Sequence, residues 1–212
     1  MTDARLPFTP IEYASFGTPA ATRTVVVLRQ GATATEDPDP EVTTARDVRV
    51  IAARLSDGEI DDPGAFGGAT AAETTAAALV ELLAGQVGGD AIGVVGVGAT
   101  GAMATAVAAA SGIDVDRLAL VAVPAPETPL ERDLAAEIAG AVTAKVLLMN
   151  GQKDPDAAAA AAAWHKAAFA TARIEMVPSP GEGDRRLDLA AVWARVLSHT
   201  APGTARGGAR RS

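Results

Sequence analysis

The chain has 212 residues, enough for one domain with a full core. A formal net charge of −8 and a pI of about 4.8 exclude the basic footprint of a nucleic-acid binder. There is no cysteine, which excludes disulfides, thiolate nucleophiles and zinc–sulfur sites.

Apolar residues make up 49% of the chain but aromatics only 3%, so the core must be built from Val, Leu, Ile and Ala. Residues 1–7 carry no apolar signal segment, and no run of about 18 apolar residues occurs. A soluble, cytoplasmic protein is expected, with no membrane partner.

Ile11-Glu-Tyr-Ala-Ser15 alternates apolar and polar residues, as an edge strand does, and Phe16-Gly-Thr-Pro19 is a turn. Thr24-Val-Val-Val-Leu28 is apolar on both faces, which predicts an interior strand. An acidic loop with Glu36, Asp37, Asp39 and Glu41, then a short helical piece, leads to the strand Val48–Ala52. The loop Ser56–Gly64 carries Asp57, Glu59, Asp61 and Asp62. It lacks the twelve-residue calcium-loop pattern with its closing glutamate, and reads as a solvated acidic loop.

Thr70-Ala-Ala-Glu73 has the spacing of a capping box and opens a helix to about Ala84, with Ala77, Val80, Leu83 and Ala84 on one face. A buried strand follows at 91–96, then a glycine turn and a small-residue helix to about Ala110. Leu118–Val123 is a strand stopped by Pro124 and Pro126, and a helix runs over about 128–139. Lys145–Met149 is the next strand. Asp154-Pro-Asp opens a long Ala-rich helix with Trp164. Arg173–Val177 is the last strand and Leu187 to about Ser198 the last helix. Strands alternate with helices, so the fold is α/β: a doubly wound, mostly parallel sheet of about seven strands with an antiparallel start.

The stretch Ala91-Ile-Gly-Val-Val-Gly-Val-Gly-Ala-Thr-Gly101 supports two readings. One is a nucleophile elbow, G-x-S-x-G, with Gly98 in place of the serine and Thr100 in place of the closing glycine. The other is a dinucleotide loop, G-x-G-x-x-G, made by Gly96, Gly98 and Gly101. Against the second, the next strand ends Val121-Ala-Val-Pro with no acid to grip a ribose. Several strands also precede the motif, where a cofactor domain normally begins with it.

The order of segments resembles the α/β-hydrolase family over nearly the whole chain. Ile11–Pro19 and Thr24–Gly31 resemble the opening hairpin and the oxyanion-loop strand, where the family's usual His-Gly is Gln30-Gly31. Val146–Pro155 resembles the strand and loop carrying the family's acid, which puts Asp154 at that position. Ile174–Glu182 resembles the last strand and the loop carrying the histidine, best matched by Glu182. The resemblance thus implies triad positions Gly98, Asp154 and Glu182, with neither serine nor histidine. It also implies an oxyanion hole from the backbone of Ala99 and of the segment near Ala32, and little or no cap after the strand at 118–123.

Glycine has no side chain to attack a carbonyl, and a carboxylate without a neighbouring hydroxyl has nothing to activate. Thr100, two residues along the turn, should not take the serine's direction. Asp154 also reads as a helix N-cap, with Pro155 at the first helical position. His165 and His199, the two histidines, read as surface or half-buried helix residues.

The resulting expectation is a single α/β-hydrolase-like domain over 1–200. A disordered basic tail follows over 201–212, with its cluster at Arg206–Arg211. The protein is a pseudoenzyme that binds a small carbonyl or anionic ligand at Gln30, Gly31, Ala32, Gly98 and Ala99, or a protein partner, with no metal and no cofactor. A residual hydrolase of small esters or amides is the alternative, and a nucleotide-cofactor protein using Gly96, Gly98 and Gly101 is the third reading.

Overall fold

A computed structural model describes residues 12–30, 38–55, 69–87, 89–153, 159–178 and 187–205. The strands are β1 (Glu12–Gly17), β2 (Thr24–Gln30), β3 (Arg49–Leu55), β4 (Ile92–Val97), β5 (Val115–Val121), β6 (Lys145–Gly151) and β7 (Ala172–Val177). They form one sheet in the order β1-β3-β2-β4-β5-β6-β7. β1 pairs antiparallel with β3, and every other pairing is parallel. This is the doubly wound, mostly parallel sheet the alternating pattern predicts.

The helices are α1 (Pro40–Thr44), α2 (Ala69–Val87), α3 (Gly101–Ala109), α4 (Pro129–Ala141), α5 (Ala159–Ala168) and α6 (Leu189–Thr200). Helices on both faces cover the central strands, which is why Val25, Val26, Val27 and Leu28 are all fully buried. Side chains alternate along a strand, so they divide between two cores. Val26 and Leu28 meet Leu79, Leu83, Met103 and Val107 of α2 and α3. Val25 and Val27 share the opposite core with Val192, Trp193, Val196 and Leu197 of α6.

On α2, Val80 and Leu83 are buried as the periodicity predicts, but Ala77 and Ala84 are exposed. The buried stripe is Ala76, Leu79, Val80, Leu83 and Val87. The bulkier Leu and Val side chains bury more area and set the helix rotation, and alanine has little to contribute against them. The box at Thr70–Glu73 falls on side chains outside the described residues. An observed capping box starts α4 instead: Thr128 Oγ1 accepts from Glu131 N–H at 3.2 Å, and Thr128 N–H donates to Glu131 Oε2 at 2.9 Å. That contact holds the Glu131 carboxyl below its ordinary pKa.

Arg23 ties the amino ends of the central strands together. It donates to the carbonyl oxygens of Thr200 and Ala91 and pairs with Asp116. Residues 201–205, assigned to the tail from sequence, are packed: Ala201 is fully buried and Thr204 O accepts from Asp47 N–H at 2.7 Å. Residues 206–212 and the acidic loop 56–64 lie outside the described residues. No helix among the described residues is long and apolar enough to cross a membrane.

Candidate ligand site at the carboxyl edge of the sheet

The sheet reverses its winding between β2 and β4: β3 lies on one side of β2, while β5, β6 and β7 follow on the far side of β4. In open α/β sheets the crevice at the carboxyl ends of such a strand pair is where ligands bind. Leu28 pairs with Gly96, so the last residue of β2, Gln30, and the turn after β4 reach the same edge.

That turn is a single 3₁₀ turn, Gly98–Thr100, leading straight into α3. Gly98 has φ +56°, a left-handed conformation, and a Cβ built there would meet nothing within 4 Å. Its two motif partners differ from it. A Cβ on Gly96 would lie 2.6 Å from Ala104 Cβ, and one on Gly101 would collide with the Val123 side chain. Gly96 and Gly101 therefore let α3 and the loop after β5 pack close to β4, whereas Gly98 serves the turn itself. Close packing and turn geometry account for all three glycines of the G-x-G-x-x-G pattern.

Thr100 is fully buried. Its hydroxyl accepts from Val97 N–H at 2.9 Å and donates to Leu28 O at 2.7 Å, joining the ends of β4 and β2. It is a brace of the turn and presents nothing to a ligand. Ala99 is exposed, and its amide is among the first of a one-turn helix, where no intrahelical acceptor exists.

Beside the turn lies a cavity of about 280 Å³ between α3, α4 and α5. Leu134, Ile138, Trp164 and Phe169 make its apolar wall, with Val123 at the sheet side. Ala122 forms the bend by which β5 leaves the sheet. It has φ 53° without being glycine, and its N–H donates to Met149 O at 2.8 Å. A left-handed alanine costs about 1–2 kcal/mol, and such strain collects at functional sites. Glu127 and Glu131 also line the cavity and make that part of it acidic.

His165 of α5 lines the same cavity and is 7% exposed, deeper than the half-buried helix position expected of it. Its Nε2 lies 3.1 Å from Pro124 O, so the ring proton belongs on Nε2 and Nδ1 is left as an acceptor. Nδ1 is buried and has no partner among the described residues. Trp164 packs edge-on at 4.9 Å and Phe169 stacks at 6.4 Å. Burial pushes the imidazole below its ordinary pKa, against the opposing carbonyls of Pro124 and Val123, so the ring is neutral at pH 7. Sequence spacing had no signal for this, because His165 lies 67 positions from Gly98 and only the packing of α5 brings it to the cavity. Asn150, at the end of β6, is a second missed polar group: it is 2% exposed and its Nδ2 has no partner among the described residues.

Of the positions singled out from sequence, the structure places Gly98 and Ala99 in the turn and the Gln30 backbone at the neighbouring strand end. Gly31, Ala32, Asp154 and Glu182 lie outside the described residues. β6 and β7, the strands that precede Asp154 and Glu182 in the chain, both end at this same edge. Among the described residues no group of three or more His, Asp or Glu could hold a metal ion.

No family model matches the chain, and no curated protein matches its sequence. Solved structures do match its fold. A thioesterase domain from the curacin biosynthetic pathway is 13% identical, with 88% of this chain and 94% of that one covered, at a TM-score of 0.63. A cold-adapted esterase from an Arctic intertidal metagenomic library is 13% identical over 88% and 87%, at 0.62. The esterase domain of a Rhodothermus marinus protein is 15% identical over 89% and 96%, at 0.57. The chain has an α/β-hydrolase-like core with a minimal cap.

Proposed function

We propose that this α/β-hydrolase-like core has become a binding protein, which holds a small neutral carbonyl compound in the cavity beside Gly98 and does not hydrolyse it. The observation that carries the reading is the turn at Gly98. It has the left-handed geometry and open Cβ direction that suit an elbow, but no side chain there, while the turn's own hydroxyl, Thr100, is locked into the sheet and that of Thr105 is bonded to Gly101 O.

The chemistry of the walls narrows the ligand. A volume of about 280 Å³ suits a small molecule. The apolar lining favours a hydrocarbon body, and the Ala99 amide can donate to a carbonyl oxygen. Glu127 and Glu131 disfavour a carboxylate or phosphate at this edge, so of the two ligand classes expected from sequence the neutral carbonyl is preferred. A second reading, residual ester hydrolysis, draws support only from the neutral imidazole of His165, which would have to activate a water.

The test is a panel of activated short-chain esters on the full chain, with Asp154→Ala as control, beside thermal shifts with short-chain ketones and esters. The expected result is no turnover above the control and a saturable rise in Tm that Ala102→Phe, which fills the cavity, removes. Turnover that falls in Asp154→Ala or His165→Gln would overturn the binding reading in favour of hydrolysis.

A further inference from the structure

At the amino edge of the sheet, opposite the cavity, β5, β6 and β7 begin in an open groove of about 730 Å³. Its lining includes Arg117, Lys145, Arg173, Arg195 and His199, and the one carboxylate among its described lining residues, Glu175, is already paired with Arg173 at 2.6 Å. Arg117, Lys145 and Arg195 make no ion pair with a described residue. Four fixed cations thus converge in a chain whose net charge is −8.

The strand register makes this arrangement costly. Arg117 on β5 pairs directly with Lys145 on β6, and like charges directly opposite on a sheet repel. Leu147 pairs with Arg173, so Arg173 stands on the next strand, diagonal to Lys145 and on the same face. The final turns of α6 add Arg195 and His199. The helix dipole acts within the last turn, so it does not account for the row of cations across the strands. The His199 ring is held in place by Nε2 contacts to Leu118 O at 3.2 Å and Lys145 O at 3.0 Å. Its pKa is pushed down first by burial, then by the charges of Arg117 and Arg173.

We infer that this groove is a second ligand site, which binds a small soluble molecule carrying two phosphoryl groups. Neighbouring strands lie about 4.8 Å apart and Arg173 is two residues further along, so Arg117, Lys145 and Arg173 span roughly 12 Å, a row that two linked phosphates match better than one. Guanidinium forks suit phosphate oxygens, and Ser198 offers a hydroxyl at the rim. The surrounding acidity, −8 over the whole chain, repels long polyanions and anionic surfaces, so the ligand must fit inside the groove.

The test is calorimetric titration of the full chain with inorganic pyrophosphate. Saturable 1:1 binding is expected, weakened by about fivefold or more in Arg117→Gln and in Lys145→Gln. Lys153→Gln, exposed at the opposite edge, should bind like the parent. Without ligand, Lys145→Gln should melt no lower than the parent, because it relieves the cross-strand repulsion. The inference is overturned by an absence of saturable heat, by equal weakening in Lys153→Gln, by a lower Tm of ligand-free Lys145→Gln, or by binding to anionic phospholipid vesicles that pyrophosphate does not displace.

Discussion

At its carboxyl end β5 bends through a left-handed Ala122 into the wall of a small, mostly apolar cavity; at its amino end the same strand sets Arg117 beside Lys145 over an open basic groove. The cavity is built by exclusion of water, and its polar groups are few and uncharged except for Glu127 and Glu131. The groove is built by charge, and nothing covers it in the described residues. One sheet thus carries two environments with opposite demands, and a ligand suited to one is unsuited to the other. Both edges are braced, the cavity edge by the buried Thr100 hydroxyl and the amino edge by Arg23.

The largest expected effect tests that brace. Thr100→Val keeps the shape but removes the hydroxyl that joins Val97 N–H to Leu28 O. Leaving those buried groups unpaired should destabilise the protein by ~3 kcal/mol, measured by urea denaturation. A cost near zero would mean the turn repacks easily and that Gly98 is not held in place.

The next effect is on pH. Both histidines have folded-state pKa values below the ordinary 6.5, chiefly through burial. The unfolded chain therefore takes up protons first as pH falls through about 6.5, and stability is lost from there downward until the folded values are reached. Within that window each histidine contributes a slope of at most ~1.4 kcal/mol per pH unit, less for the half-buried His199. Denaturation midpoints from pH 7.5 to 5 should fall accordingly, and His165→Gln should flatten more of the slope than His199→Gln.

The sheet was legible in the sequence because burial on both faces writes itself as continuous apolar runs such as Val25–Leu28, whereas the strand expected to run to Pro124 leaves the sheet earlier, at Ala122. Strand boundaries moved by a few residues, and β5 starts at Val115, where Asp116 and Arg117 interrupt the apolar run. The division of labour among Gly96, Gly98 and Gly101 was not legible: all three read as small residues, and only the neighbours of an imagined Cβ separate packing from turn geometry. His165 and the basic row were hidden for another reason. They are assembled from positions far apart in the chain, by helix packing in one case and by the register of Arg117 against Lys145 in the other.

The two histidines also allow the finest comparison between the edges, because their depressed pKa values have different origins. At His165 burial acts alone against the carbonyls of Pro124 and Val123, and no charged group contributes. At His199 the charges of Arg117 and Arg173 add to burial. Salt screens charge–charge repulsion over several ångströms but does not rehydrate a buried ring. Raising the salt from low ionic strength to about 0.5 M sodium chloride should therefore raise the His199 pKa and leave His165 in place, read from imidazole proton shifts. Arg117→Gln should produce part of the same rise at low salt. Equal movement of both histidines would mean that the groove does not concentrate positive charge, and the contrast between the two edges would lose its electrostatic basis.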